Sequence, residues 1–304
     1  MNNFGILCVI ALYGASYSAV EGASRIMGGS NAIHNQFRYM VSLQRLSEVN
    51  EFTRGHRCGG ALITLNHVLT AASCLYDNNA GIFTLIAPAQ YRLFAGAARL
   101  DDDSSSERFR SISDFTVHPQ FVPTQPFNND IAVITAASPF SSIAAAALQL
   151  PTTDITVTNL GICRSPGWGG QNASASASNQ LMFTENRITV NSHCTVSYYE
   201  QGTTISMLSS MICAQPITNS SGCQGDLGNP LVCNNQLHGV LFLSKDCSSP
   251  MPVPLPDVYT RVFSYRAWLN EIIGDDEPSG AATYQSGIGL LTIFALVQIV
   301  ATIS

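Results

Sequence analysis

The feature that most constrains this fold is a series of short apolar runs between about residues 26 and 273. Each run is bounded by Gly, Pro, Asn, Asp or Ser, which is the pattern of strands joined by turns. No fixed-period repeat is present, and only residues 264–273 carry apolar side chains at helical spacing. We therefore predict an all-β fold that ends in a short α-helix. The runs span 39–43, 61–65, 68–71, 131–135, 181–190 and 237–243.

Composition excludes several function classes. Of 304 residues, 46% are apolar and only 11% are charged, against about 25% charged in an average soluble domain. A disordered tail or a coiled coil does not fit these values. A net charge of -6 and a single lysine, Lys245, lack the basic surface that binding to phosphates needs. Nucleic acid is therefore not an expected partner.

The N-terminus has the pattern of a secretory signal. Residues 4–15 form an apolar run that small residues follow, which predicts a signal peptide over residues 1–18. The first three residues carry no Lys or Arg, and the alternative is a short buried strand.

Cysteine usage agrees with export. Without Cys8, which leaves with the signal, eight cysteines remain. An even set in an exported chain indicates four disulfides, for which spacing alone allows 105 pairings. No pair has the CxxC spacing of zinc sites, so we expect no metal and no cofactor. The eight are Cys58, Cys74, Cys163, Cys194, Cys213, Cys223, Cys233 and Cys247.

The C-terminal segment 274–304 has the pattern of a linker and a hydrophobic tail. Residues 288–303 are mostly apolar, and no charged residue follows Glu277. A membrane-spanning helix needs about 20 residues and usually a positive flank. Small residues over 278–282 followed by an apolar tail are instead the pattern of a GPI signal, with attachment near Ser279 or Gly280. A short tail anchor and an apolar segment without anchoring function are the alternatives.

Five motifs in order resemble those of trypsin-like serine proteases. Residues 25–29 resemble the activation junction, and the segment Leu-Thr-Ala-Ala-Ser-Cys at 69–74 resembles LTAAHC. Residues 129–132 resemble the DIA(L) strand, 222–231 resemble CQGDSGGPL, and 256–262 resemble PGVYTRV. The resemblance covers residues 25–273.

This resemblance implies two six-stranded antiparallel β-barrels packed face to face, with the site in the cleft between them. The domain would span residues 26–273, after a short propeptide at 19–25. The implied disulfides are Cys58–Cys74, Cys163–Cys233, Cys194–Cys213 and Cys223–Cys247.

The resemblance also implies a damaged catalytic triad. Ser73 stands at the histidine position and Leu227 at the nucleophile position, while Asp130 keeps the carboxylate. Removing such a pair lowers turnover by about six orders of magnitude. We therefore expect no enzyme but an extracellular cofactor or decoy in a proteolytic cascade, binding a protease, a protease substrate or a pattern ligand. The alternative is an active endopeptidase that uses non-standard residues.

The retained Asp130 is expected to be a buried hydrogen-bond acceptor for backbone or for Ser73. Gly225 and Leu227 occupy the positions whose N–H groups form the oxyanion hole. Cleavage after Arg25 would free the ammonium of Ile26 to pair with Asp226. The alternative is that this activation switch is an inherited relic.

The substrate cleft departs from the pattern as well. The edge strand reads Phe242, Leu243 and Ser244 where the family has Ser-Trp-Gly, and we expect Phe242 to lie beside Asp130 and Leu227. Ser221 is the expected base of the primary pocket. Asp257 replaces a pocket-wall glycine. It either plugs the pocket against a neighbour such as Ser221 or offers a negative charge to a basic ligand.

Surface features complete the predictions. Asn172 and Asn219 begin glycosylation sequons. Residues 101–103 are three consecutive aspartates near where some trypsins bind calcium; without alternating oxygen ligands, we interpret them as solvated charge. The protein is predicted to be secreted and held on the outer plasma membrane surface.

Overall fold

Short antiparallel strands close into two six-stranded β-barrels. The computed structural model describes residues 29–124, 127–157, 161–170, 177–218, 223, 225–244 and 255–274. In chain order the strands are β1 (Ser30–Asn31), β2 (Met40–Arg45), β3 (His56–Leu62), β4 (His67–Thr70), β5 (Tyr76–Asn79), β6 (Ile82–Leu85), β7 (Tyr91–Ala95), β8 (Phe109–Val117), β9 (Ala132–Ala136), β10 (Cys163–Gly167), β11 (Met182–Thr189), β12 (Met211–Pro216), β13 (Pro230–Cys233), β14 (Gln236–Leu243) and β15 (Asp257–Arg261). The helices are α1 (Asn191–Glu200) and α2 (Arg266–Ile273).

The first barrel has the strand order β2-β3-β4-β9-β8-β7, and β5 and β6 form a separate hairpin beside it. The second has the order β11-β10-β13-β14-β15-β12 and closes through pairing of β11 with β12. Strand β1 pairs with β11 from outside this ring. The predicted two-barrel fold is confirmed.

The interface between the barrels is apolar. One buried cluster joins Leu69 and Val133 of the first barrel to Val240 of the second. Helix α2 adds Leu269 and Ile273 to the same cluster. The predicted C-terminal helix therefore packs against the apolar interface between the barrels.

Helix α1 was not predicted. Its sequence is mostly polar, and only Cys194 and Tyr198 are buried, one helical turn apart. Two buried positions give too little periodicity to identify a helix from sequence. The disulfide between Cys194 and Cys213 ties α1 to β12.

Three of the implied disulfides are present: Cys58–Cys74, Cys163–Cys233 and Cys194–Cys213. Cys223 is disulfide-bonded as well, and its expected partner Cys247 lies outside the described residues.

Several other predictions also fall outside the described residues. They concern the signal peptide, the propeptide, the activation junction, Ser221, the two sequons and the C-terminal tail. Within the described ranges, no helix combines the length and apolar character needed to cross a membrane.

Candidate functional site

Two of the triad-equivalent residues are in contact. Ser73 lies in a short 3-10 turn that follows β4, and Asp130 lies just before β9. Because β4 and β9 are paired in the first barrel, the two residues meet at the same end. The backbone N–H of Ser73 donates to Oδ1 of Asp130 at 2.8 Å.

The other side-chain oxygens of this pair are buried. Among the described residues, neither Oδ2 of Asp130 nor Oγ of Ser73 makes a hydrogen bond of standard geometry. Burial raises the pKa of Asp130 to about 6, although the N–H and the hydroxyl of Ser73 and the N–H of Ala72 lie close enough to oppose the shift. The groups closest to the carboxylate in this turn are therefore those of Ser73 and Ala72.

Leu227 lies in the turn before β13 and packs against the apolar interface between the barrels. Its carbonyl accepts the N–H of Gly59 at 2.9 Å. The next residue, Gly228, has a φ of +83°, and a Cβ there would lie 2.3 Å from the carbonyl oxygen of Gly59. The turn is therefore fixed in a conformation that requires glycine at 228. It holds Leu227, a hydrocarbon side chain, at the predicted nucleophile position.

His56 contacts the same turn, although no sequence motif pointed to it. Its Nε2 is 2.9 Å from the carbonyl oxygen of Gly225, and its Nδ1 is 2.7 Å from Oγ of Ser42. A carbonyl only accepts, so Nε2 donates to it and Nδ1 accepts from the Ser42 hydroxyl. Burial lowers the pKa of His56 to about 4, against the raising effect of its bond to Gly225. His56 is therefore neutral and bridges the carbonyl of Gly225 and the hydroxyl of Ser42.

Asp226, the residue after Gly225, is buried and accepts three hydrogen bonds. The N–H groups of Gly169 and Cys223 each donate at 2.8 Å. The side-chain amide of Asn229 donates to Oδ1, also at 2.8 Å. Burial raises the pKa of Asp226 to about 6, while these three donors oppose the shift. The signal for Asn229 was available in the sequence, since it stands where the family motif has glycine.

Asp257 and Ser244, two residues of the predicted pocket, are joined by a hydrogen bond. Asp257, the first residue of β15, is 1% exposed, and Ser244 donates to its Oδ1 at 2.7 Å. The hydroxyl of Tyr259 lies 3.5 Å from Oδ2. Ser244 follows β14, so this bond joins the ends of two neighbouring strands.

Phe242 is buried in β14. It packs in an apolar cluster with Cys194, Met211 and Val258. The carbonyl of the preceding residue, Leu241, accepts the N–H of Gly228 at 2.8 Å, and the register of β14 against β15 shifts between Leu241 and Leu243.

Beside Phe242 lies a small apolar pocket with a cavity volume of about 10 Å³. Its lining comes from β12, β14, β15 and two loops, and consists of Phe127, Ile205, Ser206, Met207, Met211, Phe242, Leu243 and Val258. A pocket of this size has room for about one water molecule, so a larger apolar group could enter only if the lining side chains moved.

The three aspartates of the acidic loop lie at the surface, each beside an arginine. Asp101 contacts Arg99 at 2.8 Å, Asp102 contacts Arg108 at 3.1 Å, and Asp103 contacts Arg54 at 2.6 Å. Across the part of the chain that the structure describes, no group of three or more His, Cys, Asp or Glu side chains could hold a metal ion.

Comparisons with known proteins agree with this architecture. Residues 26–269 match the protein family described as Trypsin. The chain is 30% identical to chymotrypsin-like elastase family member 1 of Macaca fascicularis, covering 91% of this chain and 100% of that protein. It is 31% identical to a chymotrypsin-like serine proteinase of Haliotis rufescens, covering 87% and 96% respectively. Its fold is similar to that of mouse neuropsin, described as a serine protease, with a TM-score of 0.64, 24% identity, and coverage of 81% of this chain and 98% of that one.

Proposed function

Because this chain belongs to the trypsin family, we propose that it is a non-catalytic serine protease homologue whose cleft binds a protein partner. The observation that carries the proposal is the pair of Ser73 and Asp130. Asp130 accepts the backbone N–H of Ser73 through Oδ1, but residue 73 carries a hydroxyl and not the imidazole that such a carboxylate would orient. Oδ2 makes no hydrogen bond of standard geometry among the described residues. Proton transfer to and from a nucleophile needs that imidazole.

Within the described ranges, the two polar side chains that contact the turn before β13, those of His56 and Thr70, are poor replacements for the missing groups. His56 is occupied at both ring nitrogens, and its lowered pKa makes it a poor base at neutral pH. Thr70 is close to the turn, but its hydroxyl is buried and donates to the carbonyl of Gly59 at 2.7 Å. Leu227 has no atom that can attack a carbonyl. These contacts support inertness toward peptide bonds.

The expected occupant of the cleft is an extended, uncharged peptide segment of the partner. The pocket beside Phe242 is apolar. Ser244 already donates to the Asp257 carboxylate. This contact favours the hypothesis that Asp257 plugs the primary pocket over the hypothesis that it offers a negative charge to a basic ligand. A partner of this kind suits a cofactor or decoy in an extracellular proteolytic cascade.

The catalytic part of the proposal is tested with a fluorophosphonate probe and a peptide ester. The purified protein, cleaved after Arg25, is expected to show neither labelling nor turnover. The double variant Ser73→His with Leu227→Ser restores both missing side chains and is the positive control. Labelling that mass spectrometry locates on a residue of this chain would contradict the proposal, because a contaminating protease would be labelled on its own peptides.

The binding part is tested by calorimetry with a tetrapeptide amide that carries only apolar side chains. Binding is expected to be lost in Leu243→Asp, which places a charge in the pocket. Ile143→Asp, at a position that is 89% exposed, is the matched control. Equal affinity in both variants would refute peptide binding in this pocket.

An extracellular location forms part of the same proposal. Disulfides persist in oxidising compartments, and three are present in the described residues. The predicted GPI anchor is tested by treating expressing cells with a phosphatidylinositol-specific phospholipase. Release of the protein from the cell surface is expected, and an unchanged surface signal would count against the anchor.

A further inference from the structure

The buried carboxylate of Asp226 has a side-chain donor built into its own turn. Asn229 Nδ2 donates to Oδ1 of Asp226 at 2.8 Å. The backbone of Asn229 is fixed on both sides, since its N–H donates to the carbonyl of Asp226 and its carbonyl accepts the N–H of Leu241 in β14. The amide therefore links the carboxylate to a strand of the second barrel.

The space around the amide is shaped for it by glycines from both barrels. A Cβ at Gly59 in β3 would lie 1.7 Å from Oδ1 of Asn229. A Cβ at Gly167 in β10 would lie 2.0 Å from its Nδ2 and 2.1 Å from Asp226 Oδ1. Only residues without a side chain at these two positions leave room for both the amide and the carboxylate.

A buried carboxylate is stable only when donors replace the water it has lost. In the family that this chain resembles, the freed ammonium of the residue matching Ile26 supplies such a partner, and cleavage thereby orders the cleft. Here a neutral amide in the same turn donates to that carboxylate.

We propose that Asn229 holds the Asp226 carboxylate in place and keeps the turn of residues 225–229 ordered whether or not the chain has been cleaved after Arg25. Asn229 is a positioning residue that acts through Asp226. Under this arrangement the binding cleft is formed in the uncleaved protein, and the activation junction is not a switch for it.

Hydrogen exchange of the full-length protein tests the proposal. Arg25→Gln keeps the chain uncleaved, and the peptide covering residues 223–229 is compared with that of the wild-type protein cleaved after Arg25. The two are expected to exchange within about twofold of each other. Fast exchange in the uncleaved protein that becomes slow after cleavage would overturn the proposal.

Two variants in the uncleaved background separate the amide from general stability. Asn229→Gly is expected to speed exchange of this peptide about tenfold or more, because a hydrogen bond to a charged group is lost. Asn235→Gly is the matched control, since Asn235 is exposed and already has a φ of +60°. Unchanged exchange in Asn229→Gly would also overturn the proposal.

Asn229→Asp distinguishes a hydrogen-bond donor from a side chain that only fills space, because only the donor role predicts that hydrogen exchange relative to wild type depends on pH. At pH 8 two carboxylates would face each other, and exchange of this peptide relative to wild type is expected to be fast. At pH 5 a protonated carboxyl at this position can donate as the amide does, so the ratio to wild type is expected to fall. A ratio that is the same at both pH values would refute the role of a donor at this position. If neither variant folds, the comparison of Arg25→Gln with the cleaved wild type decides the question.

Discussion

Replacing Asp130 by asparagine should make this protein less sensitive to pH. Burial raises the pKa of Asp130 from 3.8 to about 6, so the folded state holds this proton more tightly than the unfolded state does. The stabilisation from this proton is complete below about pH 4 and is lost as the pH rises through about 6. The amide side chain of the Asp130→Asn variant would carry no charge at any pH and would show no such loss.

The magnitude follows from the size of the shift. One pKa unit corresponds to about 1.4 kcal/mol, so a rise from 3.8 to about 6 amounts to about 3 kcal/mol of lost stability by neutral pH. The asparagine side chain keeps an oxygen for the Ser73 N–H but places a buried NH₂ where Oδ2 lies. That donor costs about 1–3 kcal/mol if unpaired, at every pH. The difference between the two pH values therefore isolates the charge.

The assay is urea unfolding of wild type and Asp130→Asn at pH 4 and pH 7.5, with the disulfides intact. The variant is expected to gain about 3 kcal/mol relative to wild type between the two pH values. Asp114→Asn is the control, because Asp114 is exposed on β8. If the stability difference between Asp130→Asn and wild type is the same at both pH values, burial does not raise the pKa of Asp130 and the reasoning is wrong.

Three further predictions concern the loops around the cleft. Asp257→Gly should open the primary pocket and at least double the affinity for a peptide with a large apolar side chain by calorimetry; equal affinity would refute the plug. Arg108→Ala should lower the free energy of unfolding by about 2 kcal/mol, whereas a calcium chelator should leave the melting temperature unchanged; a shift with the chelator would contradict the arginine pairing. Gly228→Ala should lower the melting temperature by several degrees, with Gly81→Ala, in open space, as the control; equal losses would refute a special constraint at Gly228.

The fold could be predicted from the sequence because its signals are local and redundant. The short runs at 61–65 and 131–135 overlap β3 and β9, and their boundaries are turn residues that physically end a strand. The apolar spacing around Trp268 predicts α2 because a helix buries one face. The cysteine pairing came from resemblance, since spacing alone left it open.

The organisation of the site could not be predicted to the same extent. Its key contacts join residues far apart in sequence, such as His56 with Gly225 and Gly59 with Asn229. The β-bulge in β14 could not be predicted either, because a bulge leaves no clear mark in an apolar run. The acidic loop was interpreted from its aspartates alone, because the arginines that neutralise it lie on both sides of it in the chain.

Two buried carboxylates, Asp130 and Asp226, are held by neutral donors, but not equally well. Both oxygens of Asp226 accept hydrogen bonds, while only one oxygen of Asp130 does. A buried polar atom without a partner costs more than the average hydrogen bond gains, so Asp130 is the weaker of the two sites. Ser73→His by itself should therefore raise stability at neutral pH by giving Oδ2 a donor, although Leu227 keeps that variant inactive. In this variant the new imidazole would bond to Asp130, but without a nucleophile the bond would affect stability alone. The variant therefore measures the structural role of Asp130 separately from catalysis.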